Sequence, residues 1–171
     1  MKGYIQIYTG CGKGKTTAAI GLAVRASGSK KRTYIGQFMK GQKYGELFAL
    51  KDNPYIEIEQ FGIGKCITKE EVTPEYIEKT KKALEKCKDI IINGNYDIVI
   101  LDEINVAIWF GLAGEKDVLE VADAKPKNLE LILTGRYAPQ ALIDKADLVT
   151  EMKEVKHYYQ EGNIARKGIE S

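Results

Sequence analysis

The 171-residue chain has little of what marks several protein classes. Its three cysteines, Cys11, Cys66 and Cys87, are far apart and odd in number, so they predict neither a disulfide framework nor a zinc site. Its apolar runs stay short of the ~18 residues that a membrane-spanning helix needs. No charged segment followed by an apolar one opens the chain. We therefore expect a soluble, cytoplasmic protein with no membrane partner.

Charge of one sign is also missing. The sequence has 26 basic and 24 acidic residues, a formal net charge of +2, and the two signs are interspersed. Nucleic-acid-binding domains usually carry a basic patch or stripe, so we expect no nucleic-acid partner. The length is close to the ~150 residues of one domain, which predicts a single domain over 1–171. Within it, 152–171 are polar and weakly periodic and read as a C-terminal tail packed on the body.

Strand-like and helix-like patterns alternate along the rest of the chain. The strand candidates are 4–8, 32–38, 55–59, 96–101 and 129–134; the helix candidates are 16–26, a long helix from 74 to 93, a short one through 109, and segments near 118–122 and 139–145. The 96–101 strand has few polar breaks, which is typical of a strand buried on both faces of a parallel sheet. The pattern therefore predicts an α/β fold with a mostly parallel central sheet flanked by helices.

The long helix has clear boundaries. Thr73 and Pro74 supply an N-cap and a first-turn proline, and Gly94 ends the helix. Its apolar positions recur at helical spacing, and the predicted buried stripe comprises Tyr76, Ile77, Thr80, Ala83, Leu84, Cys87, Ile90 and Ile91.

A glycine-rich turn joins the first strand to the first helix. It reads Gly10-Cys11-Gly12-Lys13-Gly14-Lys15-Thr16-Thr17 and ends like the phosphate-binding pattern GxxxxGK[ST]. In that pattern backbone N–H groups and the lysine bind phosphate oxygens, while the hydroxyl of the Thr16 position binds Mg²⁺. Thr9 stands where the pattern has its first glycine, and Lys13 is an additional cation. The alternative is a glycine-rich turn that holds no ligand.

Polar residues follow three other predicted strands. Asp102-Glu103 ends the 96–101 strand and, with Thr16, is a candidate Mg²⁺ site, the alternative being a pair of solvated carboxylates. Arg136 follows Thr134-Gly135, where a guanidinium suits phosphate oxygens, although a surface arginine in a tight turn is the alternative. Lys40, in Gln37-Phe38-Met39-Lys40-Gly41, occupies an equivalent place after another strand.

Three further features have weaker signals. His157 is the only histidine, and a lone histidine is more often structural than catalytic. Trp109 and Phe110 are expected in the core in preference to a stacking surface. The loop 62–67 carries two glycines, which permit either lid motion or simple turning.

Several of these motifs, read together, resemble the ATP:corrinoid adenosyltransferase family of the P-loop type. The resemblance extends over nearly the whole chain and rests on 9–19, Arg25-Ala26, 37–41, 101–103, 134–136, 146–152, Lys156-His157 and 168–170. It implies a RecA-like fold, usually a homodimer, that transfers the 5′-deoxyadenosyl group of Mg-ATP to cobalt of a corrinoid and releases triphosphate. A reduced flavoprotein often supplies the electron that makes Co(I), the nucleophile.

The resemblance also implies roles for individual residues. ATP is held with its triphosphate reversed relative to other P-loop enzymes, so Lys13, Lys15 and Arg136 would stabilise charge on the departing triphosphate. The loop residues 10–17 would bind ATP, and Arg25, Lys40 and His157 would lie in the ATP and corrinoid region. Several relatives press aromatic residues of the loop after the third strand onto the corrinoid, but the loop 62–67 of this chain has none.

Two other functions fit the motifs less well. In an ordinary ATPase or kinase, Glu103 would orient water or a hydroxyl toward the γ-phosphate. In a RecA-like, ATP-gated nucleic-acid binder, a basic surface would be needed, and the balanced charge argues against it.

Overall fold

The central feature of the computed structural model is a six-stranded sheet in which every pair of neighbours is parallel. Residues 2–62, 64 and 67–170 are described. The strands are β1 Ile5–Thr9, β2 Thr33–Gln37, β3 Ile56–Gln60, β4 Ile98–Asp102, β5 Glu130–Thr134 and β6 Leu148–Glu151, in the order β3-β2-β4-β5-β1-β6. The helices are α1 Lys15–Ser27, α2 Gly45–Leu50, α3 Pro74–Asn93, α4 Ile104–Trp109, α5 Glu115–Asp123 and α6 Gln140–Lys145, with 3₁₀ turns at Lys69–Glu71 and Tyr158–Glu161. The predicted α/β class is confirmed.

Both faces of the sheet are covered, as expected for parallel strands. On one face Ala19 and Ala23 of α1 pack against Ile35, Ile100 and Ile132. On the other face, helices α3 to α6 pack on alternate residues of the same strands, among them Val99, Leu101, Leu131 and Leu133. The apolar runs of β4 and β5 therefore reflect burial from two sides.

The strand register brings the predicted polar residues to one edge. Gln37 at the end of β2 lies opposite Asp102 at the end of β4. Tyr8 of β1 lies opposite Thr134 at the end of β5. Since all these strands run in the same direction, the segments that follow them meet at the carboxyl edge, where open α/β sheets bind ligands.

Helix α3 confirms the predicted boundaries and most of the predicted stripe. The Tyr76 N–H donates to Oγ1 of Thr73 (3.3 Å), and the Gly94 N–H donates to the Ile90 carbonyl (2.9 Å). The buried residues of the helix are Thr80, Ala83, Leu84, Cys87 and Ile91. Ile77 was wrongly included in the stripe: it is 41% exposed because Tyr76, not Ile77, turns toward the core at the first turn.

Two elements have no clear signal in the sequence. Helix α2 has no buried residue and no side-chain cap, and its six residues are too few to show the apolar periodicity that predicts a helix. Strand β6 is exposed along its whole length because it is the sheet edge, paired only with β1. A half-buried alternation therefore never develops in its four residues.

None of the helices in the described ranges combines the length and the apolar character that crossing a bilayer would require.

The packing of α3 can be tested with two residues of the same helix. Leu84→Ala removes a 5% exposed side chain and should lower the free energy of unfolding by about 2–5 kcal/mol. Ile77→Ala alters an exposed position and should cost less than about 1 kcal/mol. Urea unfolding of both variants gives the comparison, and equal losses would contradict the burial assigned to α3.

Candidate active site

The glycine-rich turn has the strand-loop-helix setting that its motif requires, between β1 and α1. Gly10 (φ 93°) and Gly14 (φ 118°) adopt left-handed backbone conformations that favour glycine. The Lys15 ammonium donates to the carbonyls of Gly10 and Gly12, both at 2.8 Å, and the residue is only 6% exposed. Burial lowers the pKa of Lys15, against the opposing attraction of Glu103. The loop thus concentrates a buried positive charge at the start of a helix.

The C-terminal segment crosses this loop, which gives its glycines a second role. The Gly12 N–H donates to the Met152 carbonyl at 2.6 Å. A Cβ atom on Gly10 or Gly12 would lie 2.5 or 2.6 Å from the same carbonyl oxygen. The backbone of 152–153 can therefore approach the loop only because those positions lack side chains.

Asp102 is the centre of a buried polar network. It is 1% exposed, and its Oδ1 accepts from the hydroxyls of Thr16 (2.9 Å) and Thr134 (2.7 Å). Its Oδ2 accepts from Nε2 of Gln37 (3.2 Å) and lies 3.3 Å from Nζ of Lys40. These contacts satisfy a carboxylate that would otherwise be very costly to bury.

Glu103 faces the cavity instead. Its backbone is left-handed (φ 61°), and its N–H donates to Oγ1 of Thr134 at 2.9 Å. Its carboxylate makes no hydrogen bond or ion pair to another described residue. Burial, followed by the like charge of Asp102, raises the pKa of Glu103. Of the two carboxylates among the three predicted metal ligands, Glu103 is therefore the one that lines the cavity, and Asp102 lies behind Thr16.

Lys40 is held by two carboxylates. Its ammonium lies 3.1 Å from Oε1 of Glu46 and 3.3 Å from Oδ2 of Asp102. Burial alone would lower the pKa of Lys40, but the attraction of Asp102 and Glu46 outweighs it and raises the pKa. Gln37 also donates to Glu46 (3.0 Å), so α2 is tied to β2 and β4.

Arg136 is exposed and lines the cavity directly after β5. It forms no ion pair with a described residue, and its charge acts on both Lys15 and Glu103. Gly135 precedes it with φ 129°, and a Cβ atom there would lie 3.0 Å from the Val106 nitrogen. The tight turn over α4 therefore depends on glycine at 135, and it is followed by a cation on the cavity wall.

Lys13 is engaged by the tail. Its ammonium lies 2.8 Å from Oε1 of Glu170 and 3.0 Å from Oη of Tyr158. Hydrogen bonds from Arg166, Lys13 and Tyr158, in that order, lower the pKa of Glu170. The additional lysine of the loop is thus also an anchor for the C-terminus.

His157 is half-buried and lines the same cavity. Its Nδ1 accepts from the Tyr159 N–H (3.1 Å) and caps the 3₁₀ turn at Tyr158–Glu161. In neutral His157 the proton is therefore on Nε2. The contact gives this residue a structural role beside any contact to ligand.

These residues surround one cavity of about 790 Å³, a size typical of small-molecule sites. The predicted residues that line it are Cys11, Gly12, Lys13, Gly14, Lys15, Thr16, Thr17, Lys40, Glu103, Arg136 and His157. Gly10 and Asp102 lie directly behind this lining. Arg25 requires a correction: it is exposed in the last turn of α1, ten residues or about 15 Å along the helix from Lys15, and does not line the cavity.

Sequence reasoning missed part of the lining. Tyr44 and Glu46 belong to the unpredicted α2 region, and Tyr137 follows Arg136 without a motif of its own. Trp109 was expected in the core but is 42% exposed on the cavity wall. Its place at the last residue of a short helix, next to a strand-end loop, is the only signal that pointed there. Of the loop 62–67, residues 63, 65 and 66 lie outside the described residues, so the predictions for this loop and for Cys66 are not tested by the structure.

Comparison with known proteins agrees with this geometry. The model of the family described as ATP:corrinoid adenosyltransferase BtuR/CobO/CobP matches residues 1–171. The chain belongs to this family. The match covers the phosphate loop, all six strands and the C-terminal tail.

Curated relatives match over similar lengths. A corrinoid adenosyltransferase of Sinorhizobium sp. is 34% identical over 99% of this chain and 80% of its own length. One of Pseudomonas aeruginosa is 32% identical over 99% of this chain and 84% of its own length. An uncharacterised protein of Nostoc sp. is 35% identical over 92% of this chain, which spans only 45% of that protein.

The burial of Glu103 predicts a gain in stability when its charge is removed. The pKa of Glu103 is higher in the folded state than in the unfolded state. At pH values above the ordinary glutamate pKa, ionisation of Glu103 therefore lowers the stability of the folded state. At a pH low enough to protonate Glu103 in both the folded and the unfolded state, this loss of stability disappears. Glu103→Gln should therefore raise the free energy of unfolding at pH 7 by on the order of 1 kcal/mol, with chelator present.

The matched control is Glu85→Gln on the exposed face of α3, which should change stability by less than about 0.5 kcal/mol. Urea unfolding at pH 7 and near pH 4 measures both, and the gain for Glu103→Gln should shrink at the lower pH. A loss of stability at pH 7 would contradict the assigned environment.

Proposed function

We propose that this chain transfers the 5′-deoxyadenosyl group of ATP to the Co(I) centre of a corrinoid and releases triphosphate. The observation that carries the proposal is the single cavity in which the phosphate loop, Arg136 and Glu103 meet, in a chain that matches the adenosyltransferase family over its whole length. Corrinoid is the second substrate and ATP the first.

The cavity is suited to stabilising a leaving triphosphate. In the transfer, a Co–C5′ bond forms while the C5′–O bond breaks, and the electron pair of that bond leaves with the triphosphate. Lys15 follows β1 and Arg136 follows the neighbouring strand β5, so both cations reach the cavity from the carboxyl edge of the sheet, and the loop amides add partial positive charge at the N-terminus of α1. Fixed cations placed where negative charge grows lower the barrier.

We propose that Lys13 also stabilises the leaving triphosphate, although it is already engaged in an ion pair. Its ammonium is held by Glu170, so it would contact triphosphate only by sharing or leaving that ion pair. We therefore assign the larger catalytic contribution to Lys15 and a smaller one to Lys13.

The oxygen ligands near Thr16 fit Mg²⁺, a hard cation that prefers carboxylates and phosphates. The hydroxyl of Thr16 donates to Asp102 and so keeps its lone pairs available, while the Glu103 carboxylate lines the cavity without a described partner. Thr16 and Glu103 would hold the ion, and Asp102 would orient Thr16. Bound Mg²⁺ would neutralise charge on the triphosphate. Among the described residues there is no cluster of three or more His, Cys, Asp or Glu side chains, so triphosphate and water would complete the coordination.

Lys40 and His157 fit the ATP and corrinoid region because both line the cavity. Two further parts of the proposal rest on the resemblance alone: a homodimer and a reduced flavoprotein as electron donor. A cytoplasmic location is proposed from the cysteine usage and the apolar pattern of the sequence. We also propose that the chain acts as one domain without nucleic acid.

The products of ATP test the proposal directly. With Mg-ATP and chemically reduced cobalamin, we expect the protein to produce triphosphate and a light-sensitive cobalt–carbon bond. Visible absorbance measures the cobalt–carbon bond, and phosphate analysis identifies the triphosphate. ADP with phosphate, or a phosphorylated acceptor, would instead identify an ATPase or kinase and overturn the proposal. DNA that binds in a salt-sensitive manner would favour a nucleic-acid function.

The two loop lysines provide a graded test. Lys15→Ala removes the buried cation and should lower kcat by at least about a hundredfold. Lys13→Ala removes a cation already neutralised by Glu170 and should have a smaller effect. Single-turnover rates of adenosyl transfer give both numbers, and near-normal turnover in Lys15→Ala would refute the phosphate-site assignment.

A further inference from the structure

Two exposed aromatic side chains form a stack on the cavity wall. Trp109 ends α4, and Tyr137 follows Arg136 after β5. Their ring centroids are 4.5 Å apart with planes 24° from parallel, yet Trp109 is 42% and Tyr137 49% exposed. Both line the cavity that contains the phosphate loop. We call this pair the aromatic wall. Core packing does not account for it, because about half of its surface is open.

The backbone holds the wall in place by an unusual conformation. Tyr137 has φ 60°, a left-handed value that bulky residues rarely adopt. Such strained positions cluster at ligand sites, where the surrounding structure maintains them. Here the strain places the Tyr137 ring on Trp109 directly beside the free guanidinium of Arg136.

A third segment of the chain reinforces the wall. The Lys69 ammonium lies 3.6 Å from the centroid of the Trp109 ring, a cation–π contact. Phe110 packs edge-on against Trp109 at 5.1 Å. The ring of Trp109 is therefore fixed by three neighbours, which lowers the entropy lost when a ligand stacks on the pair.

The wall and the phosphate loop lie over opposite faces of the sheet. Helix α1, which starts from the loop, packs on the face of Ile100 and Ile132. Helix α4 packs on the face of Leu101 and Leu133. Arg136 and Glu103 lie at the sheet edge between them. A triphosphate held by the loop would thus have the wall on the far side of the cavity.

We propose that the aromatic wall binds the flat face of the corrinoid macrocycle. The inference rests on the proposed function, since corrinoid is the second substrate. The wall is open on one side: Lys69 and Tyr137 both lie over the Trp109 ring, so the open stacking face is that of Tyr137. Among the described residues, the one further ring that contacts the wall is Phe110, which meets it edge-on. A purine slot usually closes on both faces of the base, whereas an open shelf suits a wide, flat ring. The wall also supplies aromatic surface that the sequence of loop 62–67 lacks.

The test uses two variants that remove one ring each. Tyr137→Gly deletes the ring and relieves the left-handed strain, so its folding is protected. Trp109→Leu keeps apolar bulk but removes the ring on which Tyr137 stacks, and Trp109→Phe restores an aromatic ring. We expect the first two to raise both the corrinoid KM and the Kd of Co(II) cobalamin, titrated by visible absorbance, about tenfold. Their ATP Kd should change less than about twofold, and Trp109→Phe should recover most of the loss.

The matched control is Tyr4→Ala. Tyr4 is 43% exposed and carries Lys2 over its ring at 4.8 Å, but it lies at the amino end of β1, away from the cavity. It tests whether loss of any exposed aromatic–lysine pair weakens corrinoid binding, and we expect wild-type values.

The possible outcomes separate the two proposals. A rise in ATP Kd with unchanged corrinoid binding would mean that the wall stacks adenine and would overturn the inference. Unchanged values for both ligands would overturn it as well. In either case triphosphate release by the wild-type enzyme would leave the proposed function standing. If the wild-type protein released no triphosphate, the proposed function would be wrong, and the inference about the aromatic wall, which rests on it, would be overturned with it.

Discussion

The carboxylate of Asp102 is the contact on which the carboxyl edge of this sheet depends. It joins β4 to β2 through Gln37, to β5 through Thr134 and to α1 through Thr16. A buried carboxylate without partners is strongly unfavourable, so these elements must be correctly registered before the charge can be accommodated. The requirement fixes Thr16 at the start of α1 and, one residue after Asp102, presents Glu103 to the cavity. Asp102 thus holds the residues of this edge in position although it does not itself line the cavity.

The C-terminal tail adds a second constraint on the same site. Met152 accepts from the loop amide of Gly12, and Glu170 and Tyr158 both contact Lys13, so the tail is held over the glycine-rich loop at two loop residues. One loop amide and one loop lysine are therefore engaged by the tail. The Lys15 ammonium, by contrast, donates only to carbonyl groups of its own loop among the described residues, and it is the lysine to which we assign the larger catalytic contribution.

The charged side chains of the cavity differ in whether they have a partner of opposite charge. Lys40 is neutralised by Glu46 and Asp102, and Lys13 by Glu170. Arg136 has no carboxylate partner among the described residues, and Lys15 bonds only to neutral carbonyl groups of the loop. Lys15 and Arg136 are thus the unpaired cations among the three that we assign to the triphosphate, and the unpaired anion, Glu103, is the one that we assign to Mg²⁺.

The sequence by itself determined five of the six strands, the boundaries of α3 and the glycine-rich turn between β1 and α1, because hydrophobic period, helix caps and glycine spacing are local signals. It also proposed Thr16, Glu103, Lys40, Arg136 and His157 as site residues; all five line one cavity, and for those that follow strands the reason is that the ends of parallel strands meet at one edge. Tertiary structure alone decided the rest. Helix α2 and strand β6 are stabilised by contacts to neighbouring elements, and their own residue patterns do not predict them. Arg25 is carried out of the site by the length of α1. Trp109 becomes part of the cavity because a left-handed Tyr137, distant in sequence, stacks on it, and no periodicity within either segment encodes that meeting.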